Sequence, residues 1–244
     1  MLPIRDHLPR RRLPVVNYLL IAANVLVFIA ERAAILGGYG ARHLLFDWGL
    51  VPGRLLVHPD AAAPTLLTSM FMHDPLSWGH IAGNMLFLWV FGDKVEDALG
   101  RGRYLLFYLL SGLGAAAAQI LIDPTSATPM VGASGAIAGV LAAYGSLYPK
   151  APITVVNPIL PLWLFYGPLL VLPAWVLILE FFAVNLLNGL TSAGLHTGVA
   201  FFAHLGGFVA GLLLVRIFVR QGTRRDHTPW QGFRYRAPPR PWGG

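Results

Sequence analysis

The chain contains no cysteine, which excludes a disulfide or a thiolate metal site and leaves the redox compartment open. Charge is also scarce: 12% of the 244 residues are Asp, Glu, Lys or Arg, against 56% hydrophobic, with a mean hydropathy of +0.61. That balance is too apolar for a soluble globular domain and points to a membrane protein with one domain. Acidic residues number 11 against 18 basic ones, a net charge of +7. Nucleic-acid binding would need that charge gathered on one folded, wetted face, whereas here the basic residues sit between and beside apolar runs. No internal repeat and no soluble accessory domain is visible, and neither a cofactor nor a metal is expected.

A helix needs about 20 mostly apolar residues to cross a hydrocarbon core ~30 Å thick. Six stretches answer to this, near 15–36, 76–95, 104–122, 130–148, 168–188 and 198–219. The expected fold is therefore all-α, a polytopic membrane protein with six transmembrane helices and a long, partly interfacial first loop over 37–75. The second span is the weakest on hydropathy, because the apolar run 81–91 is bounded by His80 and by Asp93-Lys94. Charge supports it. Arg5 and Arg10-Arg11-Arg12 precede span one, Lys94, Arg101 and Arg103 surround the second connection, Lys150 follows span four, and seven arginines from Arg216 to Arg240 end the chain. With six spans these fall on one side, leaving Arg32, Arg42 and Arg54 on the other, so both termini are expected in the cytoplasm. The basic cluster before span one reads as the start of an uncleaved signal anchor, and the composition favours a bacterial plasma membrane. The expected divisions are a cytoplasmic segment 1–14, a membrane domain 15–220, and an Arg/Pro-rich tail 221–244 that stays disordered or lies on anionic lipid.

Polar groups inside a bilayer are costly unless paired or wetted, which makes each a site candidate. They are His80 and Asn84 in span two, Ser134 in span four, Glu180 and Asn185 in span five, His204 in span six, and Asn17 and Asn24 in span one. Ser134 lies in Gly132-Ala133-Ser134-Gly135, a small-residue turn where a helix begins and leaves free backbone N–H groups. Gly135 with Gly139 and Gly207 with Gly211 form two small-xxx-small faces that bring spans four and six close if they meet. His80 and Asn84, spaced i and i+4, share one helical face, and an imidazole and an amide are suitable donors to an oxyanion. Spans two, four and six run in the same direction, so Ser134, His204, His80 and Asn84 are expected at a common depth near the extracytoplasmic surface.

Phe71-Met72-His73, His80-x-x-x-Asn84, Gly-Ala-Ser-Gly at 132–135 and Ala-His-x-Gly-Gly-x-x-x-Gly at 203–211 together resemble the signature of the rhomboid intramembrane serine proteases. Asn24-Val25-Leu26-Val27-Phe28, Val95-Glu96 and Gly100-Arg101 are also similar to that family. The resemblance implies Ser134 as nucleophile, His204 as general base and acid, His80, Asn84 and the Ser134 N–H as oxyanion donors, and His73 as a structural residue of the first loop. Transmembrane proteins would be the substrates and the lipid bilayer the surroundings. The chain departs from the family pattern at three points. Pro64-Thr65 stands where many members have Trp-Arg, Ala138 stands where many have an aromatic residue stacked on the histidine, and Glu180 is unusual in span five. A non-catalytic relative that binds and escorts membrane proteins, and a transporter with a polar midplane site, stay open as alternatives. For Glu180 the plainest expectation is a protonated side chain bonded to a neighbouring helix.

Overall fold

A computed structural model describes residues 1–163, 167–191 and 201–220 of the chain. In order, the elements are strand β1 (Leu2–Asp6), helix α1 (Val15–Leu36), the short helices α2 (Ala41–Trp48), α3 (Pro52–Val57), α4 (Pro59–Ala62) and α5 (Thr65–Thr68), and helices α6 (Trp78–Leu99), α7 (Arg101–Ile122) and α8 (Ser134–Leu147). Strand β2 (Pro152–Val156), a 3₁₀ turn (Leu160–Leu162), strand β3 (Leu169–Pro173), and helices α9 (Ala174–Thr191) and α10 (Phe201–Phe218) follow. Among the described residues, α1, α7 and α10 are long and apolar enough to cross a membrane, and shorter apolar helices lie at Ser134–Leu147 and Ala174–Asn188.

Helix α8 is the axis of the molecule, with every residue from Gly135 to Tyr144 buried. It packs against α6, α7, α9 and α10. Its sequence is rich in Gly and Ala, so neighbouring backbones come close without side chains between them. A Cβ added at Gly207 would run into the carbonyl oxygen of Gly135, and one at Gly211 into that of Gly139. The two small-residue faces therefore meet. On the other side of α10, Gly206 lies against Gly114 and Ala118 of α7.

The N-terminus of α1 has no capping side chain of its own; Glu96 of α6 accepts the N–H groups of Val16 and Asn17 at 3.2 and 2.7 Å. Buried Asn17 donates to the Leu88 carbonyl at 3.0 Å and accepts the Tyr104 hydroxyl at 2.8 Å, over the gap left by Gly92. Two orphan donors of a helix end and one buried amide are thus satisfied across three helices.

Two expectations need correction. The fold is not all-α, because β1, β2 and β3 form an antiparallel sheet in the order β1-β2-β3, with Leu2 opposite Val156 and Pro152 opposite Pro173. The fifth apolar run does not begin its helix at 168: its first residues, 169–173, are β3, and α9 starts at Ala174. Short apolar runs carry no period that separates a buried strand from a helix; Ile, Thr and Val favour the strand in β2, while Leu-rich β3 is held short of a helix by Pro168 and Pro173 at its ends and by pairing with β2. Strand β1 packs on α6, where Lys94 Nζ lies 2.7 Å from Asp93 and 3.8 Å from Asp6. Burial of Asp6 outweighs this neighbour and pushes its carboxyl up to about 6. The tail 221–244 and the start of the sixth expected span lie outside the described residues.

Substitution at two glycines tests the close approach. Gly207→Ala should cost about 1–3 kcal/mol by overpacking against backbone and lower Tm in detergent, whereas Gly83→Ala, with nothing within 4 Å of the added Cβ, should not lower it. Equal Tm values for the two variants would show that the glycine face does not set the helix separation.

Candidate active site

Ser134 is the first residue of α8, so its N–H and those of the next residues have no partner within the helix. The segment that delivers it is stitched to the first loop: Leu50 and Met130 exchange backbone hydrogen bonds of 3.0 and 2.8 Å, and the Gly132 N–H donates to the Ser69 carbonyl at 2.9 Å. Gly132 has φ +125°, and a Cβ there would sit 3.0 Å from His80 Nε2. Only glycine suits both conditions.

His204, in the first turn of α10, brings Nε2 to 2.7 Å from Ser134 Oγ. Its other nitrogen, Nδ1, lies 2.5 Å from Asn185 Oδ1 of α9, and the Phe181 ring stands with its centroid 6.1 Å from that of the imidazole. His80, in the first turn of α6, accepts the Asp74 N–H on Nδ1 at 3.3 Å, so its Nε2 carries the proton. Ser134, His204 and His80 line one cavity of about 590 Å³, together with Gly132, Asp74 and Ser69 and apolar walls from Met70, Ala115, Ala116 and Met130. Asn84 lies one turn further along α6, 8% exposed and outside the cavity wall, and its buried Nδ2 has no hydrogen-bond partner.

Behind the cavity, the His73 N–H donates to the Glu31 carboxylate at 3.1 and 3.3 Å, and His73 Nδ1 donates to the Phe71 carbonyl at 3.2 Å. The His73 and His80 rings meet edge to face at 5.1 Å. Burial, helped by His80, lowers His73 to about 4. Glu180 departs from its expectation: it pairs with the Met1 nitrogen at 2.6 Å beside the sheet, not with a neighbouring helix. Asn185 and Phe181 carried no role in the sequence reading. Two signals were available: Asn185 is a polar group inside an apolar span, and with Ala138 in place of the usual ring on α8 the histidine needs its neighbours from another helix.

The fold and this site define a helical membrane protein with a serine and a histidine in hydrogen-bond contact inside a cavity. A Rhomboid domain model matches residues 61–221, and the chain belongs to the rhomboid family. It is 35% identical over 130 residues to rhomboid protease GluP of Bacillus subtilis (strain 168), covering 53% of this chain and 24% of that protein. Rhomboid-like protein 11, chloroplastic, of Arabidopsis thaliana is 36% identical over 107 residues, covering 44% and 37% of the two chains. The human presenilin-associated rhomboid-like protein, mitochondrial, is 29% identical over 201 residues, covering 80% and 46%. The chain thus spans less than half the length of each of these relatives.

The depressed His73 sets a pH dependence. Its neutral form stabilises the fold above its unfolded pKa of about 6.5, and that contribution is lost as pH falls through about 4. Tm should therefore drop between those limits, and His73→Asn, which does not titrate, should start lower at neutral pH yet show a shallower acid limb. An unchanged acid limb would assign the loss to other groups.

Proposed function

We propose that the chain is an intramembrane serine endopeptidase that hydrolyses peptide bonds of transmembrane helices through a Ser134–His204 dyad. The observation that carries the reading is the 2.7 Å contact of Ser134 Oγ with His204 Nε2 in a cavity of about 590 Å³. His204 takes the hydroxyl proton as Ser134 Oγ bonds to the scissile carbonyl carbon, and the carbonyl electron pair moves onto oxygen. The Ser134 N–H and His80 Nε2–H, both in the cavity, are donors to that oxyanion, and the family resemblance adds Asn84, which lies behind the wall with its Nδ2 unpaired. His204 then gives its proton to the leaving amine as the C–N bond breaks. Water attacks the acyl-enzyme by the same route, and the proton returns to Ser134 Oγ. A helical substrate hides its peptide bonds in hydrogen bonds, so substrates are transmembrane segments with small or helix-breaking residues that unwind locally.

The domain has six spans on this reading, with α6, α8 and α9 crossing alongside α1, α7 and α10. Both termini face the cytoplasm and the cavity opens at the opposite surface, in a bacterial plasma membrane. The distribution of Lys and Arg supports this orientation.

The deciding experiment compares the native chain with Ser134→Ala and His204→Ala in detergent, using a single-span substrate and a serine-directed fluorophosphonate. Each substitution should abolish cleavage and labelling while helicity is kept, and the double variant should be no worse than either single one. Binding or transport without catalysis would survive loss of one hydroxyl, so Ser134→Ala that retains turnover sinks the proposal. For topology, reporter fusions after Pro149 should read cytoplasmic and those near Pro59 and Thr125 extracytoplasmic; a cytoplasmic reading at Thr125 would contradict the six-span arrangement.

A further inference from the structure

A serine–histidine pair works only when the imidazole presents its unprotonated nitrogen to the hydroxyl, and neutral histidine has two tautomers. Residue 185 bears on that choice. Asn185 is 7% exposed, and its amide is held at both ends: Nδ2 donates to the Phe181 carbonyl at 2.8 Å and Oδ1 lies 2.5 Å from His204 Nδ1. The Phe181 carbonyl is purely an acceptor, so the amide cannot turn over without setting two oxygens against each other. Oδ1 must then face His204, and a hydrogen bond at that distance needs the proton on Nδ1. Nε2 is left free to accept from Ser134 Oγ at 2.7 Å.

We infer that Asn185 is a positioning residue for the proposed hydrolysis, holding His204 in the Nδ1–H tautomer so that Nε2 is available as base. The inference rests on the protease reading of the same site. The Phe181 ring restricts the imidazole from one side, and these two α9 residues stand in for the aromatic expected at Ala138, which here is a buried methyl within α8. A neutral amide suits a membrane-embedded site. It accepts the Nδ1 proton without a resting negative charge, which would be costly at this depth. Because Asn185 belongs to neither α8 nor α10, the base is set correctly only while α9 is seated beside them.

The first measurement is the tautomer itself. In protein labelled with 15N-histidine, with the His204 signals assigned by difference from His204→Gln, the native chain above neutral pH should show His204 protonated at Nδ1. A predominantly Nε2-protonated ring would overturn the inference without any substitution at 185. Asn185→Leu keeps the volume and removes the acceptor. It should mix the tautomers and lower kcat and the rate of fluorophosphonate labelling by about 10- to 10²-fold, with KM little changed, short of the 10²–10⁴-fold effect of losing a general base. Asn185→Asp, as the carboxylic acid whose O–H replaces Nδ2–H toward the Phe181 carbonyl, keeps an oxygen facing Nδ1 and should stay within a few-fold of the native rate. A folded Asn185→Leu protein with native tautomer and labelling rate would remove Asn185 from this role. Should Asn185→Leu fail to fold, the native tautomer and the Asn185→Asp rate decide. If the native chain and Ser134→Ala prove equally unreactive, the protease reading falls, and the tautomer of the native protein still decides what Asn185 does.

Discussion

The separation of α8 and α10 is the constraint on which the site depends, and four glycines set it. Ser134 and His204 stand on different helices, and serine has one of the shortest polar side chains. Their 2.7 Å contact is possible only because the backbones beneath them touch, Gly207 on Gly135 and Gly211 on Gly139. Membrane helices gain little hydrophobic drive from one another, so van der Waals contact across small residues holds such a pair together. One methyl group on that face would widen the gap by a sizeable part of a hydrogen-bond length, and a misplacement of about 1 Å can cost ~10²-fold in rate. Helix α7 closes the other side with Gly114 against Ala210, so α10 is gripped along two small-residue faces.

The opposite end of the bundle is ordered by polar satisfaction. Glu96 caps α1, Asn17 bridges α6 and α7, and each would leave a buried donor or acceptor unpaired if removed, at about 1–3 kcal/mol. The small sheet extends this order to α9. The Ala174 and Trp175 N–H groups at the head of α9 donate to the carbonyls of Ala151 and Pro149 at 2.9 Å, so the start of α9 is fixed to the short connection between α8 and β2. Asn185, about three turns further along, inherits its position relative to His204 from that anchorage.

What was legible in the sequence follows from length scale. Hydropathy summed over a bilayer thickness marks each apolar helix, since burial in lipid leaves few alternatives to a helix. Gly135, Gly139, Gly207 and Gly211 are legible because four-residue spacing puts them on one face. The sheet was not, because its strands are five residues each and two of them lie inside apolar stretches where strand and helix look alike. The third, Leu2–Asp6, pairs with a segment about 150 residues away, and nothing local announces such a partner. The link from Asn185 to His204 depends on the rotation of α9 about its axis, which a uniformly apolar helix does not reveal. Glu180 misled for a related reason: a carboxylate in an apolar run points to a partner on a neighbouring helix, whereas its partner here is the Met1 nitrogen ahead of β1.

The groups in contact with the dyad are neutral: an amide from Asn185, an aromatic ring from Phe181, and the N–H groups at the start of α8. His80 completes the set with Nδ1 accepting the Asp74 N–H, which leaves its donor free. Of the carboxylates around the cavity, Asp74 in its wall accepts the Leu76 N–H and Glu31 behind it accepts the His73 N–H. On the protease reading no charge rests at the reacting atoms before the proton leaves Ser134. Charge separates only as the imidazolium and oxyanion form, side by side, in a pocket where donors are already oriented and Coulomb attraction is stronger than in water. An apolar bundle penalises a standing charge but stabilises a pair created in contact, so a dyad held by an amide is chemically suited to work where an acidic third residue would first have to be neutralised.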